Sequence, residues 1–225
     1  MRVVVNKKLF DKVLEVMKNV RVETVFVVDA ENNKLRVEAI NYAKTALIRA
    51  KIDVLEADEN FTLAVDSSKI HNAIKAMSSP VAITKKNGEI EISGGSIVYR
   101  IAEFVGDYVK VPSEANFEVT TEIKMLGSDM KRLIELAKKF GDIMFCGDSA
   151  IIKGDIDSVR YEFTEYKGDA KSCYSAEILE AIKPALGNDD AVLIRYGDGR
   201  PAIIQITGDG YEIEYIVAPR VMAVD

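Results

Sequence analysis

Apolar and polar residues alternate along most of the chain, which is the pattern of half-buried β-strands. Runs of this kind include TVFVVDA, KLRVEAI, SIVYRIAEF, VRYEFTE and AIIQIT. The turn sequences ENNK (31–34), KNGE (86–89), GDGR (197–200) and GDGY (208–211) separate such runs. Their Asn-Gly and Asp-Gly steps are typical of tight hairpins. The pattern therefore predicts a mostly β protein built from antiparallel hairpins.

Four stretches instead show apolar residues at helical spacing. They lie near residues 7–20, 66–77, 128–140 and 175–186, with Asp66 or Ser67, Ser128 and Ser175 as expected N-caps. Each follows a short strand and precedes several hairpin strands, twice before residue 105 and twice after residue 120. The fold class is therefore predicted as α+β, with two similar β-rich domains of two helices each. We expect an N-terminal domain at 1–105, a connector at 106–121 and a C-terminal domain at 122–225.

Composition narrows the possible functions. The chain has 225 residues, a formal net charge of −6 and 48% hydrophobic residues. An acidic balance is unusual for a simple nucleic-acid binder. Cys146 and Cys173 form neither a disulfide framework nor a zinc pattern, so we expect small buried thiols in an intracellular protein. The sequence contains no apolar run as long as a membrane span. We expect no metal, no cofactor and no membrane.

Positive charge is nevertheless concentrated on the helices. In the third helix the basic residues fall opposite the apolar stripe, and the other helices also place Lys away from theirs, with His71 expected on the polar face of the second helix. A solvated helix face would explain each helix alone. A shared surface that contacts phosphates without reading bases would explain all four. The candidate DNA-binding residues are Lys12, Lys18, Lys69, Lys131, Arg132, Lys138, Lys139 and Lys183.

The C-terminal sequence RPAIIQITGDGYEIEYIVAPRV resembles the end of the proliferating cell nuclear antigen family, the DNA sliding clamps of archaea and eukaryotes. FDKVLEVMKNV, SSKIHNAIKAM, KKFGDIMFCGDSAIIKGDID and CYSAEILEAIKPAL resemble the family's four inner helices and the strands beside them. The resemblance implies the DNA-clamp fold, a homotrimeric ring, and a processivity factor for DNA replication and repair. It implies sequence-independent binding of duplex DNA, and DNA polymerase, clamp loader, flap nuclease and ligase as partners. The implied location is inside the cell, with the chromosome.

The resemblance also implies two surfaces. Partner peptides with apolar and aromatic anchors would enter a groove beside the C-terminal strand, although Asn41 and Lys44 stand where the family commonly has Asp and His. The implied groove residues are Ile40, Thr45, Leu47, Val109, Phe117, Pro201, Ile216, Val217, Ala218 and Pro219. The implied subunit interface pairs two edge strands through Ile97, Tyr99, Ile101, Tyr161 and Phe163.

Two alternatives remain at the level of sequence. One subunit of a heterotrimeric ring, a checkpoint-type clamp or a viral clamp would have the same pattern. A DNA-processing enzyme is less well supported, because its candidate groups are sparse. Asp155 and Asp157 alternate as ordinary strand residues do, and GDGRP and GDGYE are hairpin turns without a following helix. We therefore expect no catalytic residues and no enzymatic activity.

Overall fold

The computed structural model describes residues 1–21, 23–104, 117–154 and 156–220. The described chain separates into two compact units. The first comprises residues 1–42, 47–104 and 210–212, and the second comprises 43–46, 117–209 and 213–220. Most of the expected connector lies outside the described residues, as do Val109 and Asp155. Each unit has two helices and many strands, as the hydrophobic pattern predicted.

The first unit is an antiparallel sheet in the order β5-β2-β3-β4-β1-β6-β7-β8. Helices α1 and α2 pack against each other, and they contact β3, β5 and β7. The elements are β1 (Arg2–Val5), α1 (Lys7–Val20), β2 (Glu23–Asp29), β3 (Lys34–Ile40), β4 (Ala46–Ala57), β5 (Phe61–Asp66), α2 (Ser67–Lys75), β6 (Val81–Lys86), β7 (Glu89–Gly94) and β8 (Ile97–Ala102).

The second unit contains the antiparallel ladder β13-β9-β15-β16 and a four-stranded sheet in the order β12-β11-β10-β14. Helices α3 and α4 pack against each other. The elements are β9 (Thr121–Leu126), α3 (Gly127–Phe140), β10 (Ile143–Cys146), β11 (Ser149–Lys153), β12 (Ser158–Glu162), β13 (Glu165–Lys167), β14 (Lys171–Tyr174), α4 (Ala176–Glu180), a 3-10 helix (Lys183–Ala185), β15 (Ala191–Tyr196), β16 (Ala202–Gly208) and β17 (Tyr211–Val217).

The helices in the first unit begin at side-chain caps. Asn6 Oδ1 accepts from the Lys8 N–H at 2.9 Å, and Asp66 Oδ1 accepts from the Lys69 N–H at 2.9 Å. These bonds satisfy amides that the first helical turn leaves without an intrahelical partner. The prediction of a cap at Asp66 or Ser67 is therefore confirmed, with Asp66 as the residue whose side chain accepts.

The predicted N-cap at Ser128 is wrong. Helix α3 begins at Gly127, so its N-cap position is Leu126, two residues before Ser128, and no side chain caps it. Two backbone carbonyls from the loop before β15 take the place of a cap. The Gly127 N–H donates to Asp190 O at 2.9 Å, and the Ser128 N–H donates to Asn188 O at 3.1 Å. Because the loop is distant in sequence, local pattern could not reveal these acceptors.

The fourth helix is shorter than its apolar spacing predicts. Helix α4 ends at Glu180, and only a 3-10 turn with Pro184 near its start follows. Proline has no N–H to donate and its ring clashes with the preceding turn, so an α-helix does not continue through it. Ser175 occupies the N-cap position, but its side chain makes no capping hydrogen bond.

Aromatic residues fill the core of the second unit. The ring of Phe145 lies 5.7 Å from that of Tyr174 and 5.8 Å from that of Tyr196, centroid to centroid. Tyr174 Oη donates to Arg200 O at 2.8 Å, and the Gly147 N–H donates to Tyr196 Oη at 3.0 Å. Burial raises the pKa of Tyr196 to about 12, so both hydroxyls stay neutral. Among the described residues, no helix is both long and apolar enough to cross a membrane.

Candidate functional site

Helix α3 carries a basic face, as predicted. Arg132, Lys138 and Lys139 are exposed, while the opposite side buries Met130 and Leu133. Lys138 and Lys139 lie in the last turn, where cations interact favourably with the helix dipole. These two lysines therefore give the C-terminal end of α3 a positive charge.

Acidic side chains partly neutralise this face, and an amide oxygen binds one of its lysines. Lys138 pairs with Glu180 of α4, and Lys183 Nζ lies 2.8 Å from Glu135 Oε1. The Lys183 ammonium holds the pKa of Glu135 below its usual range, with smaller contributions from Lys139 and Lys131. Lys131 Nζ donates to Asn188 Oδ1 at 3.0 Å. Arg132 and Lys139 are therefore the exposed cations of this face for which no acidic partner is described.

The three predicted lysines of the first unit differ in their surroundings. Lys12 Nζ donates to Tyr211 Oη at 2.6 Å and lies 4.2 Å from the centre of that ring. Lys18 Nζ lies 3.3 Å from His71 Nδ1, whereas Lys69 is well exposed and 3.8 Å from Asp66. Lys12 and Lys18 are thus held by neighbouring side chains, and Lys69 is more available to solvent.

The prediction that His71 lies on a polar helix face is wrong. Its side chain is 2% exposed, on the side of α2 that packs against α1. His71 directly follows Ile70, which is also buried. The buried face of α2 is therefore wider than its apolar residues alone indicated. Only the packing of the two helices reveals this.

The two strands expected at the subunit interface are both sheet edges. Within the described residues, β8 pairs with β7 alone and β12 pairs with β11 alone. Ile97 and Val98 of β8 are 36% and 53% exposed. An edge strand that exposes apolar side chains and unpaired backbone groups can pair with a strand of another chain.

Backbone hydrogen bonds fix which amides of these edges point outward. The Phe163 N–H donates to Asp148 O at 2.8 Å, and the Glu103 N–H donates to Gly88 O at 3.3 Å. In an antiparallel pair every second residue points its N–H at the neighbouring strand. Tyr161 therefore points its N–H at β11, whereas Arg160 and Glu162 point theirs away from it. By the same alternation Val98 and Arg100 point theirs away from β7.

A cavity of about 620 Å³ opens beside β12 in the second unit. Its lining includes Leu126, Tyr161, Phe163 and Leu193. Leu126 is half-exposed, whereas Phe163 is buried with its ring 6.1 Å from that of Phe145. Phe163 therefore belongs to the core of its own unit, and Tyr161 with Leu126 forms the more accessible apolar surface at this edge.

The C-terminal strand is fastened by contacts that sequence analysis missed. Beyond β17, the Ala218 N–H donates to Thr45 O at 2.8 Å, and the Arg220 N–H donates to Cys173 O at 2.8 Å. Arg220 also forms an ion pair with Asp142, which raises its pKa. All of these residues belong to the second unit. The Ala-Pro segment is therefore held in a defined position rather than left as a loose tail.

The expected groove residues differ in accessibility. Val217 is fully buried, and Ile216 is 9% exposed, so neither offers much side-chain surface. Pro201, Ala218 and Pro219 are half-buried and remain accessible in part. In the first unit Ile40 and Leu47 are partners in the β3–β4 ladder and both are buried. Phe117 is half-buried.

A set of contacts around Tyr42, near the end of β3, was not predicted. Tyr42 is 72% exposed, and the Arg21 guanidinium lies 4.3 Å from the centre of its ring. Glu23 accepts from Tyr42 Oη at 2.9 Å and from Arg21 Nε at 2.8 Å. These bonds hold the pKa of Glu23 below its usual range, with Arg21 as the main cause. A lone exposed Tyr gives no such signal in a sequence.

The described residues contain no candidate metal site and no activated cysteine. They contain no group of three or more His, Cys, Asp or Glu side chains placed to hold a metal ion. Cys146 and Cys173 are free and half-buried, rather than fully buried as expected. Burial raises the pKa of both thiols. A thiol with a raised pKa forms little thiolate and is a poor nucleophile.

Comparison with known proteins supports the resemblance. The chain is 23% identical over 239 residues to the DNA polymerase sliding clamp of Methanocella arvoryzae, covering 96% of this chain and 97% of that protein. No family model matches the sequence. The resemblance to sliding clamps predicted from the C-terminal sequence and the helices is thus confirmed.

Solved structures share the fold. The structure of the C-terminal region of FEN-1 bound to A. fulgidus PCNA matches with a TM-score of 0.89 and 23% identity, covering 99% of both chains. The PCNA2–PCNA3 complex of Sulfolobus tokodaii matches with a TM-score of 0.82 and 17% identity, covering 98% of this chain and 99% of that one. The predicted α+β clamp fold is therefore confirmed.

Proposed function

We propose that this chain is a subunit of a DNA sliding clamp, which encircles duplex DNA and keeps a polymerase on its template during replication and repair. The observation that carries the proposal is similarity along almost the entire chain to a protein named DNA polymerase sliding clamp. In this proposal residues 1–105 and 122–225 are the two clamp domains and 106–121 is the connector. The protein would act inside the cell, on the chromosome.

Ring closure would use the two sheet edges. The outward-pointing N–H groups of β8 would donate to outward-pointing carbonyls of β12 in a second copy, and the reverse, in a head-to-tail contact that closes after three subunits. Such a heterologous contact forms a ring or an open fibre, depending on the rotation between copies. The exposed Ile97 and Val98, and the cavity beside Tyr161 and Leu126, supply apolar surface for this contact.

DNA contact would be electrostatic and independent of sequence. The candidate cations lie on α1, α2 and α3 and in the turn after α4, and several are already paired with acids. A lining of this kind gives weak, salt-sensitive attraction to phosphates and no base readout. These properties suit a ring that must slide. The clamp would contribute binding and topology, without a catalytic step of its own.

Partner binding would use the C-terminal segment. Ala218 and Pro219 are held in place but are only half-buried, so a partner can contact them. We propose that polymerase, clamp loader, flap nuclease and ligase present apolar and aromatic anchor residues to this segment and to the neighbouring Pro201. A few buried anchors carry most of the affinity in such interfaces.

Two measurements test the proposal. Sedimentation equilibrium should give three times the chain mass of 24.9 kDa. Threading onto linear duplex DNA should then be topological: protein should stay bound when streptavidin blocks both ends and escape when one end is free. Retention that does not depend on blocked ends would contradict encirclement.

A heteromeric ring is the second candidate. The likeness to the PCNA2–PCNA3 complex favours it, because that structure contains two different clamp proteins. A chain that remains monomeric alone at micromolar concentration, yet sediments as a ring with a second clamp protein from the same cell, would support this candidate over the homotrimer.

A further inference from the structure

The single histidine of the chain lies between two charged side chains of a neighbouring helix. On one side Lys18 Nζ is 3.3 Å from His71 Nδ1, and on the other Asp11 Oδ1 is 3.2 Å from His71 Nε2. Lys18 and Asp11 both belong to α1, whereas His71 belongs to α2. Both ring nitrogens of this α2 residue thus face charged side chains of α1.

The chemistry of lysine determines where the imidazole proton resides. An ammonium can only donate hydrogen bonds, so Nδ1 beside Lys18 must be the acceptor with a free lone pair. The single proton of the neutral ring is then on Nε2, facing Asp11. The opposite tautomer would direct a lone pair at a carboxylate oxygen and an N–H at an ammonium, and both contacts would be repulsive.

We infer that Lys18 holds His71 in the neutral Nε2–H form, and that His71 in turn positions Lys18 as a pH-sensitive latch between α1 and α2. Asp11 Oδ1 also favours a proton on His71 Nε2. It is buried and has no hydrogen-bond partner among the described residues, although Nε2 is close. A proton on Nε2 would face this carboxylate oxygen at 3.2 Å, which favours the same tautomer.

The surroundings determine how the ring titrates. The pKa of His71 lies below its usual value because the ring is buried, and the positive charges of Lys18 and Lys75 add to this effect. Asp11 and Glu15 act in the opposite direction. Strands β5 and β7 also contact α2, but their inward-facing positions are apolar: Leu63, Val65, Ile90 and Ile92.

Protonation would open the latch. A proton on Nδ1 removes the only acceptor that His71 offers Lys18, and it places two cationic donors about 3.3 Å apart. Lys18 would then leave the ring. Glu15, whose Oε1 is 4.0 Å from Lys18 Nζ, is the nearest alternative partner, and solvent is the other, since Lys18 is partly exposed.

The first test uses the fact that the chain has one histidine. Long-range proton–nitrogen NMR on the folded, full-length protein reports tautomer and titration directly. At neutral pH we expect Nδ1 to appear as an unprotonated nitrogen and Nε2 as a protonated one. An Nδ1–H tautomer, or rapid averaging between the two forms, would overturn the inference.

Variants separate the latch from simple burial. Lys18→Met should release the tautomer and raise the pKa of His71, whereas Asp11→Asn should lower the pKa. Lys75→Met is the matched control, because it removes the same charge from an exposed position on α2 itself. If Lys75→Met shifts the pKa of His71 less than Lys18→Met does, and leaves the tautomer unchanged, the latch is supported. Equal effects of both lysine variants would reduce Lys18 to a distant charge and overturn it.

A consequence for DNA rests on the proposed clamp function. Freed Lys18 and a charged His71 should steepen the salt dependence of DNA retention as pH falls, by up to about one unit of log–log slope per additional phosphate neutralised. The change should follow the NMR midpoint in the wild-type protein and be absent in His71→Gln. If the protein is not retained on DNA at any pH, the clamp proposal fails, but the NMR result still tests the latch. If the salt-dependence slope of DNA retention does not change with pH, although His71 shows the expected tautomer and pKa, then His71 does not position Lys18 for DNA binding.

Discussion

The backbone N–H of Ala218 donates to the carbonyl oxygen of Thr45 at 2.8 Å, within the second unit. These residues are 173 positions apart in the chain, yet this bond and the Arg220–Asp142 pair fix the segment that follows β17. If partners dock on this segment as proposed, its fixed position lowers the conformational entropy lost on binding.

Ala218→Arg should weaken binding of partner peptides. The substitution keeps the backbone N–H but places a long, charged side chain where an apolar anchor would dock. We expect a loss of about 2 kcal/mol or more, close to a 30-fold rise in Kd. Fluorescence titration with a FEN-1 C-terminal peptide measures it. Leu55→Arg, at an exposed site in the first unit, is the control, and equal affinity for both variants would exclude this segment as the site.

Arg160→Pro should disrupt ring assembly without unfolding the chain. The Arg160 N–H points away from β11, so proline removes a donor from the outer side of the edge and leaves the β11–β12 ladder bonded. Arg160→Ala, which keeps the N–H, controls for the missing side chain. Sedimentation should give monomers for the proline variant alone. A ring that survives the proline substitution would mean that β12 is not the interface.

Exposed cations should contribute more to DNA retention than cations held in ion pairs. Lys138 is bound to Glu180, whereas Arg132 and Lys139 are exposed on the same helix. Removing Arg132 and Lys139 together should lower the log–log salt slope by about 1.8, near 0.9 for each phosphate that is no longer neutralised. Lys138→Ala should have a smaller effect. The slope is measured on end-blocked duplex DNA, and identical slopes for all three proteins would refute this ranking.

Stability should fall in mild acid because of His71. Its folded-state pKa lies below the unfolded value, near 6.5, so the unfolded chain binds the proton first as pH falls. The contribution of His71 to the free energy of unfolding should therefore be fully present above about pH 6.5. It should decline as the pH falls below that value and be lost below the folded-state pKa. Each unit of pKa depression accounts for about 1.4 kcal/mol. Urea titrations of wild type and His71→Gln across this range should diverge, and parallel curves would contradict the prediction.

Two of the predicted helix caps, Asp66 and Ser128, should differ in their energetic contribution. Asp66→Ala removes the acceptor for the Lys69 N–H and should cost about 1 kcal/mol of unfolding free energy. Ser128→Ala should cost only a few tenths, because its side chain caps nothing and its N–H bonds to Asn188 O. Urea unfolding at neutral pH distinguishes them, and comparable losses would mean that Ser128 acts as a cap after all.

The local features of this protein could be predicted from neighbouring residues alone. Alternation and turn residues predicted the hairpins, and helical spacing predicted four helices, because strand and helix periods leave different apolar patterns in neighbouring positions. The C-terminal sequence and the helices predicted the clamp resemblance. The cap at Asp66 also followed from its local sequence, since donor and acceptor are three residues apart.

Features that depend on distant partners became apparent only in the folded chain. Asp190 and Asn188 made a side-chain cap at Ser128 unnecessary, and the packing of α1 on α2 buried His71 against Lys18 and Asp11. The direction of each edge amide depends on strand pairing, which places Arg160 outward and Tyr161 inward. Residue type and spacing carry no information about a partner far along the chain, whereas the folded backbone specifies that partner, its distance and its charge.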